Sequence, residues 1–220
     1  QLETNPDSAL LLFNSINEDS LSEAAFAQKC MLAGKITDKL YQAIIPTHHY
    51  ERAHHWFSGH GTPQEQSLIL LYLGRSYAED GEYNHAMTTY TKGMNIAEKY
   101  SLFDISGLIN SYMGDLYESK GMIELAIDKY KTAADLFLKD SNKKSYACAL
   151  RDCGRSYARI DSIEKAINIL LQADSIANEI DNPNVKASIA NTIAGTYLLS
   201  SNYNEAKSFY NKALLFSKNK

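Results

Sequence analysis

Proline, glycine and long apolar runs are scarce in this chain, and each scarcity removes a class of structure. Four prolines and 11 glycines in 220 residues are too few for a β-sandwich built on many tight turns. No apolar run approaches the roughly 18–20 residues that a membrane-spanning helix needs, and the longest, around Leu68 to Leu73, contains Tyr72. Positive charge is short as well. With 22 Lys and Arg against 26 Asp and Glu, the net charge is −4, which argues against a nucleic-acid binder that works by neutralising phosphates. The three cysteines, Cys30, Cys148 and Cys153, are an odd number without metal-ligand spacing. Cys148 and Cys153 point to different faces of a helix, about 140° apart, so buried free thiols are expected, which leaves the redox compartment open. Gly-rich phosphate loops, HExxH, G-x-S-x-G and kinase signatures are missing, and no cofactor or catalytic residue is expected. The chain opens on Gln1 rather than Met, from which removal of a preceding segment is expected.

What the chain does have is tyrosine, 15 of them, in an otherwise ordinary soluble composition of 45% apolar and 22% charged residues. The length suffices for a substantial core in one large domain or two small ones. The mixture suits helices packed on aromatic pegs.

The tyrosines are periodic. Gly74, Gly114, Gly154 and Ala194 recur at intervals of 40 residues, each followed three residues later by Tyr77, Tyr117, Tyr157 and Tyr197. Ala86, Ala126, Ala166 and Ala206 come next, then Tyr90, Tyr130, Leu170 and Tyr210. A fixed period of this kind marks a stack of identical supersecondary units. Small residues such as Gly74 and Ala86 let two antiparallel helices approach closely, while Tyr77 and Tyr90 fill the space beside the contact. Gly81, Gly121, Asp161 and Ser201 end the first helix of each unit and turn the chain. Helices are expected at 64–80, 82–100, 104–119, 122–140, 143–160, 162–180, 184–200 and 203–218.

These columns resemble the tetratricopeptide repeat, whose pattern runs W-x2-L-G-x2-Y, then A-x3-F, then P. Leu70, Leu73, Gly74, Tyr77, Ala86 and Tyr90 match it in the first copy, and Leu150, Cys153, Gly154, Tyr157, Ala166 and Leu170 in the third. The resemblance covers residues 64–218. It departs at the terminal Pro, where Glu98, Leu138, Asn178 and Lys218 stand, so the second helix of each unit can run on.

The N-terminal third is less regular. Asn5 or Asp7 is a candidate cap for a first helix with Pro6 in its first turn. Ser20 and Glu23 form a candidate capping box for a second helix over 20–42. In the third, "HHYERAHHWF", Ala53 and Phe57 mimic the second half of a repeat, and Gly34 would be its small partner, although the gap is seven residues longer than in the later copies. Thr62, Pro63 and Glu65 supply cap, first residue and capping-box partner for the next helix. The chain is therefore expected to be all-α, a right-handed α-α superhelix of about eleven helices. Residues 1–62 form a packing helix plus a degenerate first repeat, and 63–220 form four 40-residue hairpins in one continuous solenoid.

Five of six histidines lie between His48 and His60. None of His48, His49, His54, His55 and His60 forms an i, i+4 pair, so no metal site is expected and incidental imidazoles on a half-exposed helix are. The resemblance implies instead that ligands, commonly peptides, lie in a concave groove lined by the first helix of each hairpin. Mapped here, the groove set is Tyr72, Arg75, Tyr112, Asp115, Arg151, Arg155 and Asn191. Arg151, Arg155 and Arg159 fall at i, i+4 and i+8, and guanidiniums fork onto carboxylates, so an acidic peptide or chain terminus is a plausible guest. The alternative is that Arg75 pairs with Asp115, and Arg155 with Asp115 or Asp152, as solvated networks. The Lys and Asn carboxylate clamp of the chaperone-binding subclass is absent: its places hold Leu71 and Arg75, Ser111 and Asp115, and Arg151 and Arg155.

A protein- or peptide-binding scaffold that is not an enzyme is expected. A group of bacterial tetratricopeptide proteins with 40-residue repeats is also similar, and some of them carry a membrane helix and a LuxR-type helix-turn-helix domain. That likeness implies an extracytoplasmic, periplasmic or membrane-anchored, sensory portion of a transcription regulator; a cytoplasmic scaffold is the alternative. Neither direct nucleic-acid binding nor a membrane span is expected of this fragment. Phe209, Leu214, Leu215 and Phe216 leave the final helix apolar where a terminal repeat needs a polar cap. Either the chain continues beyond Lys220 or this end packs on another copy as a homodimer.

Overall fold

The computed structural model describes residues 6–40 and 44–218, and among them there are eleven α-helices, one short 3-10 turn at Glu18–Ser20 and no strand. Two compact units divide the chain, residues 1–105 and 106–220. The first holds α1 (Pro6–Asn14), α2 (Glu23–Leu40), α3 (Thr47–His60), α4 (Pro63–Glu79) and α5 (Tyr83–Lys99). In the second lie residues 106 onward of α6 (Phe103–Ser119), then α7 (Ile123–Lys139), α8 (Lys143–Arg159), α9 (Ile163–Asn178), α10 (Pro183–Leu199) and α11 (Tyr203–Lys218). From α4 onward, each observed helix ends within two residues of its expected span.

The boundaries are sharp because one turn is written repeatedly. Gly81, Gly121, Asp161 and Ser201 all have positive φ, at 81°, 74°, 58° and 58°. In each case the next residue donates its N–H to the carbonyl of the repeated tyrosine: Glu82 to Tyr77, Met122 to Tyr117, Ser162 to Tyr157 and Asn202 to Tyr197, at 2.8–3.0 Å. This is the Schellman closure, which satisfies helix-end carbonyls and needs one left-handed residue. Glycine adopts that conformation freely, while Asp161 and Ser201 carry a side chain there at a cost.

Within a hairpin the small column does what its spacing implies. A Cβ on Gly114 would lie 2.6 Å from the Tyr130 ring, and one on Gly154 2.6 Å from Leu170. Tyr130 and Leu170 are fully buried, so these contacts bring α6 onto α7 and α8 onto α9. Successive hairpins of the second unit then share cores. Ala133, Ala134 and Phe137 pack with Ala149 of α8, and Ala147, Leu170, Ala173 and Ala177 pack with Val185, Ile189 and Ile193 of α10.

The N-terminal region departs from expectation in two places. Ser22, not Ser20, caps α2, its hydroxyl accepting from the Ala25 N–H at 3.3 Å. Ser20 lies in the 3-10 turn and Glu23 reaches Arg52 at 2.5 Å, so there is no box with Ser20 and α2 starts three residues later than expected. Gly34 is not the partner of Phe57. A Cβ there would collide with the Tyr72 ring, so its smallness serves the contact of α2 with α4. The box at Thr62 and Glu65 forms as expected, with Pro63 first in α4. Asn5 lies outside the described residues.

Candidate functional site

The seven groove candidates do not share one fate. In the first unit Tyr72 and Arg75 are buried, 2% and 8% exposed. Tyr72 lies against Gly34, and Arg75 extends past that ring, 5.3 Å from its centroid, to the Asp38 carboxylate, the Gly34 carbonyl at 3.3 Å and Glu79 at 3.7 Å. Both residues are consumed by packing against α2 and offer no open face. Asp38 and Glu79 are carboxylates that meet Arg75.

In the second unit Asp115, Arg151 and Arg155 come together. Four residues apart on one face of α8, the arginines alternate with two acids. Asp152 takes Arg151 at 2.9 Å and Arg155 at 2.8 Å, while Glu118 of α6 takes Arg155 at 2.9 Å and Arg159 at 3.0 Å. Arg151 also donates to the Ser188 hydroxyl of α10 at 2.9 Å. The Tyr130 hydroxyl, reaching up from α7, donates to Asp115 at 2.6 Å and Glu118 at 3.2 Å. The acids are the sunken members: the side chains of Glu118 and Asp152 are 11% and 13% exposed, against 39% for Arg155 and 49% for Arg159. Cations therefore form the outer layer of the face. Tyr112 is half-buried on α6, and Asn191 stands apart on α10, exposed beside an open cleft.

Electrostatics follow from this layering. Burial would raise Glu118, but Arg155 and Arg159 outweigh it and hold the carboxyl below its ordinary range. Crowding on the protein side raises Asp115 to about 6 and the charges of Asp152 and Glu118 add to the rise, against the Tyr130 hydrogen bond and Arg155. One edge of Asp115 stays open to water, which screens part of this effect. Burial and the Asp115 charge push Tyr130 up, so its hydroxyl remains a donor at neutral pH.

Glu118 and Ser188 carry no signature at the 40-residue period, and Tyr130 enters that period only as a packing residue. Neighbouring first helices meet at an offset of 37, as in Asp38 with Arg75, Glu118 with Arg155 and Arg151 with Ser188. Scanning at that offset would have found all three pairs.

Histidines of α3 pack on neighbouring rings. His49 meets Phe26 and His48 edge to face, and His60 stacks on Trp56. Burial and the nearby Lys92 charge lower His54. Burial lifts the Cys30 and Cys153 thiols to about 12 and about 11, and raises Cys148, leaving none activated as a thiolate. Among the described residues no group of three His, Cys, Asp or Glu is placed to hold a metal, and no helix is long and apolar enough to cross a membrane.

Residues 187–220 match the family model described as tetratricopeptide repeat. That match falls on the α10–α11 hairpin, the last of the four 40-residue copies. No curated protein matches the chain in sequence. Among solved structures the chain is similar to BtubC (BKLC) from P. vanneervenii, with a TM-score of 0.73 and 15% identity over 98% of this chain and 88% of that one. Rap protein complexed with competence and sporulation factor gives a TM-score of 0.81 and 15% identity over 95% and 58%. A STAND protein with a tetratricopeptide repeat sensor from Pyrococcus horikoshii gives 0.69 and 19% over 96% and 33%. At these identities the likeness establishes the fold alone, an all-α tetratricopeptide-type solenoid.

Proposed function

We propose that this chain is a non-catalytic scaffold that captures a protein or peptide segment on the first-helix face of its second unit. The observation that carries the reading is the layered network on α6 and α8. Sunken Glu118 and Asp152 hold Arg155 and Arg159 in place, while those guanidiniums keep 39% and 49% of their side-chain surface in water. Cations fixed before binding lose less rotamer entropy when a guest docks, and guanidiniums suit carboxylates. The guest is therefore a segment with at least one carboxylate. The similar Rap structure is a complex with competence and sporulation factor, which supports a capturing role for a fold of this kind.

The network holds three arginines and three carboxylates. Protonation of Asp115 below about 6 turns it net positive, so capture of an acidic segment strengthens as pH falls from 7 to 5.5. The test is fluorescence anisotropy with acidic peptides on the folded chain and on an Arg155→Gln, Arg159→Gln double variant. Loss of affinity by about tenfold or more is expected; unchanged affinity in a folded variant sinks the reading.

A second reading, the sensory portion of a larger extracytoplasmic regulator, draws on the tetratricopeptide repeat sensor of the P. horikoshii STAND protein. It predicts a conformational response to a soluble signal, read as a change in scattering radius.

A further inference from the structure

Where α3 and α5 flank α4, the first unit keeps an open cleft of about 290 Å³. Leu70 and Leu73 of α4 form its apolar floor, 2% and 4% exposed. One wall is Glu51 and His54 of α3, the other Thr89 and Lys92 of α5, each pair one helical turn apart on its helix. Tyr77 closes one end, its hydroxyl donating to the Glu51 carboxylate. At the other end lies Lys92. Burial and the Lys92 charge hold His54 below its ordinary range, so the imidazole is neutral at pH 7.

The repeat supplies its own comparison. Ala53 and Phe57 stand in α3 where Ala126 and Tyr130 stand in α7. In that register His54, Leu73, Tyr77 and Thr89 correspond to Ile127, Cys153, Tyr157 and Ile169, which pack into one apolar cluster of the second unit. Ile127 is 4% and Cys153 1% exposed. Two isoleucines therefore close this place in the second unit, and the first unit puts an imidazole and a hydroxyl there instead. Stability alone does not call for that exchange. His54 Nδ1 is buried without a hydrogen-bond partner, a cost that isoleucine avoids. Nor do the charges of the two walls satisfy each other. Among the described residues Lys92 forms no ion pair, and Glu51 meets the Tyr77 hydroxyl rather than a cation.

We infer that this cleft binds a free amino acid with a short apolar side chain. The ligand carboxylate lies toward Lys92, and His54 donates to it through Nε2, the ring nitrogen left to serve the cleft once Nδ1 is closed off. The ligand ammonium lies toward Glu51, and the Thr89 hydroxyl, donor and acceptor at once, serves either group. Its side chain covers Leu70 and Leu73. One helical turn, about 4.5 Å of rise, separates the cationic end from the acidic end, a span that a single zwitterion bridges. The volume is at the lower limit for small-molecule sites, which admits an amino acid and not a peptide. No residue of the acid–arginine network lines the cleft, so the inference is independent of capture at Arg155 and Arg159.

The probe is L-leucine, titrated calorimetrically into the full chain beside isocaproate, which lacks the ammonium, and isopentylamine, which lacks the carboxylate. L-Leucine should bind saturably and shift the His54 imidazole signals in NMR spectra. Each analogue should bind at least about tenfold more weakly, and so should L-leucine to Lys92→Gln and Glu51→Gln chains. A His54→Ile, Thr89→Ile double variant copies the closed cluster of the second unit and should lose binding altogether. If that variant fails to fold by circular dichroism, Lys92→Gln and Glu51→Gln, both at exposed positions, carry the test. Absence of saturable L-leucine binding, equal binding of either analogue, or unchanged affinity in the folded variants overturns the inference. So does binding that leaves the His54 signals unmoved. Failure here leaves capture at Arg155 and Arg159 unaffected, so the two readings fail separately.

Discussion

Arg75 and Arg155 occupy the same place in their repeats, two periods apart, yet one is shut away and the other faces water. In the first unit, Gly34 admits the Tyr72 ring and Asp38, one turn later on α2, closes over Arg75. In the second unit the corresponding acid, Glu118, sits lower than the arginines it holds, so Arg155 and Arg159 remain at the surface. A column of a repeat therefore fixes where a side chain starts, and the neighbouring first helix decides what it does.

Removing the acid in each unit tests this contrast most severely. Asp38→Ala strips a buried guanidinium of its closest carboxylate and should cost about 3 kcal/mol, measured by urea unfolding. Glu118→Gln should cost only about 1 kcal/mol, since water and Asp152 still serve the half-exposed arginines. Equal losses would erase the distinction between the units.

Glycines give the next largest difference. Gly114→Ala places a methyl 2.6 Å from a Tyr130 ring pinned by Asp115, an overpacking worth about 2 kcal/mol. Gly195→Ala meets nothing within 4 Å and should stabilise α10 by about 1 kcal/mol through helix propensity. Thermal unfolding of the two variants should move Tm in opposite directions.

The hairpin turns allow a smaller, symmetrical test. Asp161→Gly relieves a left-handed side chain and Gly121→Ala creates one, so the first should gain and the second lose about 1 kcal/mol. If both lose stability, the Asp161 side chain supports its turn in some other way.

The gentlest probe is pH. The folded pKa of Asp115 is raised from 3.8 to about 6, so its contribution to stability is complete below about 4 and is lost as pH rises through about 6. Glu118, held low, acts with the opposite sign, its contribution fading only as pH falls through its depressed pKa. Asp115→Asn should therefore flatten the decline of Tm between pH 4 and 7 while leaving the acid limb in place. A decline unchanged in the variant would assign it to other groups.

The hairpins were legible in the sequence because their determinants are local. The turn residues at 81, 121, 161 and 201, together with the tyrosine carbonyls behind them, close each first helix without help from distant parts of the chain. The site was legible only in part. Asp115, Arg151 and Arg155 were named and do assemble, but Tyr72 and Arg75 were assigned to a surface that α2 covers. On α2 the 40-residue register survives at Gly34, 40 before Gly74, but nothing in that spacing shows that Gly34 admits Tyr72 and that Asp38 closes over Arg75. Glu118 was missed for a related geometric reason: first helices meet at an offset of 37, three residues short of the period that reveals the repeat.

Site-specific photocrosslinking tests the central claim directly, with a photoreactive residue placed at Arg159 on the charged face or at Leu171, which is exposed on α9. In the presence of a captured acidic segment, crosslinks should form from position 159 and not from 171. Crosslinks from 171 alone would place the partner on the second helices and contradict the account.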